Sequence, residues 1–401
     1  MNFVVLTLTL GVLSINAIFT QAIAAEPLVA EPVATPVIVE VGQKYTLHSQ
    51  ILGEERQVLV RLPESYNAAD TDVRYPVIYL LDGDRHFTHG SIGAEVLEQR
   101  DRMPESIIVA LPNNHGTRER DLARQPENFR RFMSEELFTF IDTKYRTSGH
   151  KTLFGHSLAG YFTLSIMVDH NEMFDNYITA SPAVHVRDGE LVGKFEQLFA
   201  SNPTISSTLF LTLTEMAEEG REVTQVLNRL IALFDRSAPE SFKWRYNFID
   251  AQVHITTPYL TIYQGFSHAF SDFQAPSYID IQSFESAGGI AALDAFFAER
   301  AIKYGAEEGM PQTTLRQIAY LYSEEGMHTQ ALALFNKNAQ TYPTRPRVYN
   351  SLGDGYAAAG QLEDAQKAYQ NAVNLAAEQG DEDVDWFSRN LRRNETRMAQ
   401  E

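Results

Sequence analysis

Short apolar runs punctuate the first two-thirds of the chain, separated by stretches with a helical period. QVLVRLP from Gln57 alternates apolar and polar side chains, whereas YPVIYLLDG from Tyr75, SIIVALPN from Ser106, KTLFG from Lys151, NYITASP from Asn176 and TLFLTLT from Thr208 are largely apolar. Continuous runs of this kind read as strands buried on both faces, which requires helices above and below a mostly parallel sheet. The intervening helical pattern is clearest in ENFRRFMSEELFTFIDTKY from Glu127, where Phe129, Phe132, Leu137 and Phe140 recur at helical spacing. Strand and helix in alternation predict an α/β fold. In SFKWRYNFID, Phe242, Trp244, Tyr246 and Phe248 occupy every second place, which predicts the last strand of the sheet. VHVRDGELVGKFEQLF from Val184 reads as a cap over the sheet or as the next crossover helix.

Past about residue 305 the texture changes to Ala-rich helix. Tyr322, Gly326, Ala331 and Phe335 recur 34 residues later as Tyr356, Gly360, Ala365 and Tyr369, a period and a small-residue pattern that match tetratricopeptide repeats. About two repeats are present, with DVDWFSRNLRRNETRMAQE as a capping helix. So few repeats bury little surface alone, and the unit is expected to lean on the α/β domain or on another chain. At the other end, MNFVVLTLTLGVLSINAIFTQAIAA carries no charged side chain and ends in the A-x-A pattern of Ala22-Ile23-Ala24. It reads as a secretory signal peptide, 1–24, with a retained anchor as the alternative. The predicted division is then 25–40 extended leader, 41–300 α/β domain and 305–401 helical repeats, all exported to the periplasm or beyond.

Charge and composition narrow the partners. The net charge is −19, from 52 acidic and 33 basic side chains, and with no basic cluster the chain is not expected to bind nucleic acid. There is no cysteine, which removes thiol nucleophiles, disulfides and thiolate metal sites together.

The chemistry concentrates in LFGHSLAG. Ser157, between a predicted strand and a predicted helix, sits where a nucleophile elbow is built, with Gly155 as the small flanking residue; Ala159 stands where the G-x-S-x-G pattern has glycine, and Gly160 follows. A helix N-cap is the plainer role for such a serine. A serine nucleophile needs a base, and the base needs a carboxylate, in the chain order Ser, acid, His. His254 emerges in the loop IDAQVHITTP after the alternating strand and is preferred to His268, which lies in a helical stretch. The acid is Glu219 or Glu218, ahead of Glu215, in EMAEEGRE after TLFLTLT. The oxyanion donors are the amide of Leu158 and that of Gly83 or Asp84; Gly83 also reads as a simple turn glycine. Asp82, Asp84, His86 and His89 crowd one loop, but their spacing matches no ligand pair on a helix, and serine chemistry needs no metal or cofactor.

YPVIYLLDGDRHF, IIVALPNNHGTRERDL, FMSEELFTFIDTKYRTSGHKTLFGHSLAGYFTL and FDNYITASPAV follow one another between about Val58 and Phe273. In this succession the chain resembles the putative-esterase family of α/β-hydrolases, which includes esterase D-type enzymes, enterobactin and bacillibactin esterases and relatives of the mycolyltransferases. The resemblance implies an α/β-hydrolase fold and esterase activity on a small-molecule carboxylic ester through a Ser-His-acid triad, with the motif positions on Ser157 and His254. Ala159, the undetermined acid and the added repeats depart from the family. Arg118, Arg120 and Asp121 in TRERDL match a family segment and read first as ion pairs that fix a loop. Two rival functions share these residues: an acyltransferase using the same triad, and a scaffold whose repeats bind a protein partner beside a vestigial hydrolase domain.

Overall fold

The computed structural model describes residues 39–67, 72–113, 116–306 and 309–400. The predicted signal peptide, and the leader up to residue 38, lie outside the described residues. One sheet carries eight strands in the order β1-β2-β4-β3-β5-β6-β7-β8. They are β1 (Gln43–Ser49), β2 (Glu54–Arg61), β3 (Tyr75–Leu81), β4 (Ile107–Leu111), β5 (Thr147–His156), β6 (Asn176–Ala180), β7 (Thr208–Leu213) and β8 (Lys243–Phe248). β1 pairs antiparallel with β2, and β2 with β4; the remaining pairs are parallel.

The continuous apolar runs are the central strands, and every residue of β3, β4, β6 and β7 is buried. Alternation splits each strand between two cores. Val77, Tyr79 and Leu81 of β3 join a cluster on one face, while Ile78 and Leu80 join another on the opposite face. The first face is covered by α2 (Pro126–Arg131), α3 (Phe138–Lys144), α4 (Leu158–Asp169), α6 (Leu191–Ser201) and α8 (Arg221–Ser237). The second is covered by α1 (Gly83–Glu98) and α9 (Thr257–Ala269). This is the α/β arrangement that the sequence pattern predicts and the α/β-hydrolase fold that the resemblance implies. The Val184 stretch resolves into a single irregular turn, α5 (Val186–Gly189), and then α6, the crossover helix between β6 and β7. The alternating run is the edge strand β8, where Phe248 ends 53% exposed.

The step from Phe132 to Leu137 is five residues, which the α-helical period does not accommodate on one face. A π turn at Phe132–Leu137 joins α2 to α3 and absorbs it. Phe129, Phe132 and Leu137 therefore all reach 0% exposure on the same core.

After the short helix α10 (Ile281–Ser286) comes α11 (Gly289–Tyr304), whose Tyr304 packs in the sheet's second core while Leu293 and Phe297 pack with the helices that follow. Those are α12 (Gln312–Glu324), α13 (His328–Thr341), α14 (Pro346–Ala358), α15 (Leu362–Gln379) and α16 (Val384–Met398). The repeated glycines and alanines of the 34-residue pattern have a physical basis. Gly326 and Gly360 both hold a left-handed conformation, φ 71° and 74°, just after a helix. In each case the next amide returns to the carbonyl of the repeat tyrosine, Met327 N to Tyr322 O and Gln361 N to Tyr356 O, both 2.9 Å. Ala331 and Ala365 are buried where helices cross, and a methyl on Gly355 would lie 2.5 Å from the Phe335 ring. Among the described residues no helix is long and apolar enough to cross a membrane.

Candidate active site

β5 ends at His156 and α4 begins at Leu158, so Ser157 alone makes the turn. Its backbone has φ 58° and ψ −118°, a conformation costly for a residue with a Cβ. It is held there by the end of β6, the loop that follows it and the first turn of α4: Ser157 N donates to Ala180 O at 3.0 Å, and Ser157 O accepts from Ala183 N at 2.9 Å and Tyr161 N at 3.0 Å. The need for small flanking residues is measurable. A methyl at Gly155 would lie 2.3 Å from Ala159 O and 2.5 Å from Thr163 Oγ1, and one at Gly160 would lie 3.0 Å from Pro182. Ala159 is fully buried without such a conflict; the close approach on the helix side has moved to Gly160. Gly155→Ala should therefore cost about 1–3 kcal/mol through overpacking, read as a lower melting temperature, and an unchanged melt would show that the elbow relaxes freely.

The structure brings Glu219 and His254 together. The one-turn helix α7 (Met216–Glu219) leaves Glu215 at its N-cap and Glu218 on its exposed side, while Glu219 folds under the His254 loop. His254 Nδ1 lies 2.7 Å from Glu219 Oε2, and the carboxylate side chain is 1% exposed. A carboxylate only accepts, so Nδ1 carries a proton, and in the neutral ring the lone pair is on Nε2. Burial pushes the Glu219 carboxyl up, but the hydrogen bonds from His254 and from Ser181 Oγ (2.5 Å), together with the Thr214 amide, bring it below its ordinary value. His268 lies elsewhere, on α9, with its ring against Phe210.

His156, the residue before Ser157, is tied to the loop of His254. Its Nε2 donates to His254 O at 3.0 Å, and the two rings are 4.7 Å apart between centroids. Burial first, then the nearby His254, pulls the His156 pKa down to about 3, so this imidazole is neutral across the working pH range.

The two oxyanion candidates both open helices. Leu158 is the first residue of α4 and Gly83 the first of α1, where amides have no intrahelical acceptor. Asp84 is exposed in the first turn of α1. Gly83 is not the residue that turns the chain: Asp82 takes the left-handed conformation, φ 52° and ψ 47°. Gly83 is small because a methyl there would lie 2.7 Å from Leu111 N of β4. Asp82 is gripped by Arg118, Nε to Oδ1 at 2.7 Å and Nη2 to Oδ2 at 2.8 Å, and the same guanidinium reaches His156 O at 3.3 Å. Arg118 thus ties the loop before α1 to the strand end before Ser157. Arg120 and Asp121 pair with Glu54 and Arg56 of β2. His86 and His89 contact each other, Nδ1 to Nε2 at 3.0 Å, and among the described residues no group of three or more His, Asp or Glu is arranged to hold a metal ion.

The family model Putative esterase matches residues 49–263, more than half of the sequence. The chain belongs to this family. Ferri-bacillibactin esterase BesA of Bacillus subtilis (strain 168) is 31% identical in a match covering 28% of this chain and 48% of that protein; the chain spans about half the length of this curated relative. An IroE-like serine hydrolase from Shewanella oneidensis is similar in fold, with a TM-score of 0.59 at 20% identity over 75% of this chain and 99% of that one. An uncharacterised protein from Capnocytophaga ochracea reaches 0.60 at 16% identity, over 88% of this chain and 99% of its own. Within the family match fall Ser157, Glu219 and His254, and also Gly83, Arg118 and Ser181; α10 to α16 lie beyond it.

Proposed function

We propose that this chain is an exported serine esterase that hydrolyses small-molecule carboxylic esters through an acyl-enzyme at Ser157. The observation that carries the reading is the 2.7 Å bond between His254 Nδ1 and Glu219, made in a loop whose His254 carbonyl accepts from His156, the residue before Ser157. In this reading His254 Nε2 takes the proton of Ser157 Oγ as it attacks the ester carbonyl. The amides of Leu158 and Gly83 receive the negative oxygen, each such donor being worth about 3 kcal/mol in the transition state. The imidazolium then protonates the leaving alcohol, and water activated by the same nitrogen releases the acid. Glu219 keeps the imidazole in the required tautomer and balances its charge. Siderophore esters are the first class to test, because the family match and the similarity to ferri-bacillibactin esterase support them. Export rests on the apolar N-terminus, and the division into an α/β domain, 41–300, and a repeat module, 305–401, that could receive a protein partner belongs to the same reading.

A fluorophosphonate should label the wild-type protein on the peptide containing Ser157 and leave the Ser157→Ala variant unlabelled. Wild-type protein that resists labelling while properly folded would overturn the assignment.

A further inference from the structure

The stretch FDNYITASPAV carries part of the family likeness, yet the mechanism above gives it no task. We infer that Ser181 is the positioning residue that fastens the triad acid to the nucleophile elbow, an inference that rests on the Ser157–His254–Glu219 reading. Residues on both sides of Ser181 hold the elbow by their main chain. Ala180 O accepts from Ser157 N, Ala183 N donates to Ser157 O, and Pro182 backs onto Gly160. Ser181 itself is 0% exposed and has φ 43°, in the left-handed region, with its own amide on Thr212 O at 3.0 Å, near the end of β7.

Its side chain reaches the acid. Ser181 Oγ lies 2.5 Å from Glu219 Oε1, the oxygen that His254 does not use. Since the carboxylate only accepts, the proton is supplied by the serine. Thr257, three residues after His254, has its Oγ1 2.9 Å from Ser181 Oγ and 3.1 Å from the carbonyl of His254; with the Ser181 proton on Glu219, the one Thr257 proton serves these two acceptors in turn, and through it the base loop is joined to the same hydroxyl. One buried residue therefore touches the acid through its side chain, the base loop through Thr257 and the nucleophile through its flanking backbone. Glycine would adopt this backbone without steric cost. Serine supplies the hydroxyl that glycine lacks, and strained residues held by their surroundings gather at sites of this kind.

That contrast provides the test. Ser181→Gly should still fold and melt cooperatively, because removing the left-handed strain offsets part of the lost hydrogen bond. Its kcat on an aryl ester should nonetheless fall by about 10- to 100-fold with KM changed less than about threefold, the signature of a lost transition-state interaction. Freed of one donor, Glu219 concentrates its charge on Oε2 and favours the imidazolium, so the acidic limb of kcat/KM should move to higher pH. Ser181→Ala should lose the same kcat and melt below the glycine variant. Wild-type kcat and an unmoved acidic limb in Ser181→Gly would overturn the inference while Ser157→Ala remains inactive. Loss of fold in Ser181→Gly would also overturn it, since the hydroxyl would then serve the fold. Full turnover by Ser157→Ala would remove the underlying triad reading and the inference with it.

Discussion

Ser157→Ala is expected to lower turnover of a short-chain aryl ester by about 10⁴-fold or more, since removing a triad nucleophile leaves only what binding and the oxyanion donors contribute. The variant should fold normally. Alanine carries the same Cβ at φ 58°, so the strain of the elbow is unchanged, and the bonds that hold it run through the main chain of Ala180, Ala183 and Tyr161. The Glu219–His254 bond does not involve the hydroxyl either. His254→Ala should fall to a similar floor, and the double variant should be no worse than either single change, because groups acting as one unit are not additive. Hydrolysis of p-nitrophenyl acetate measured beside a thermal melt checks both points. Retained turnover with an intact melt would assign Ser157 to the plain task of opening α4.

Why Glu219, the carboxylate that meets His254, was not separable from its neighbours in the sequence is now physical. Glu215, Glu218 and Glu219 lie within five positions and share one composition. Their fates are decided by a single helical turn that ends at Gly220 with φ 89°, and no period or motif specifies so short an element. The tight turn at Ser157 was legible because such a turn demands small neighbours, and Gly155 records that demand directly. The loop position of His254 was legible because it follows the alternating run that reads as the last strand of the sheet. β1 left no comparable mark: Tyr45 and Leu47 alternate with polar residues on an edge with little burial, too brief a signal to stand out. The π turn was present in the 3-5-3 spacing of Phe129, Phe132, Leu137 and Phe140, but an expectation of regular helix passes over it. Left-handed backbone at Asp82 and Ser181 has no sequence sign, since neither is glycine; it is imposed by tertiary bonds to Arg118 and Glu219.

The largest stability loss should come from Asp121→Ala. Asp121 is 1% exposed and lies 2.6 Å from Arg56, itself 5% exposed, and 2.7 Å from Arg120. The Arg56 guanidinium is further enclosed by the rings of Phe129 and Phe132, at 5.2 and 5.8 Å. Its Nη2 already has no hydrogen-bond partner among the described residues. Deleting the carboxylate leaves this cation with Glu54 alone, a side chain 28% exposed and shared with Arg120. Breaking a buried pair by removing one partner costs roughly 3–5 kcal/mol, whereas replacing both partners with apolar groups of similar volume is often neutral; the remaining Glu54 contact places the expected loss near 3 kcal/mol. Asp121→Ala should therefore lower the melting temperature by several degrees, and Arg56→Met combined with Asp121→Leu should recover most of it. A single variant that melts like wild type, or a double variant that melts below the single one, would mean that the charge pair is not what anchors the π turn Arg120–Arg124 to β2. That anchor matters for the site because Arg118, two residues before Arg120, is the residue that holds Asp82 and the first amide of α1 in register with Ser157.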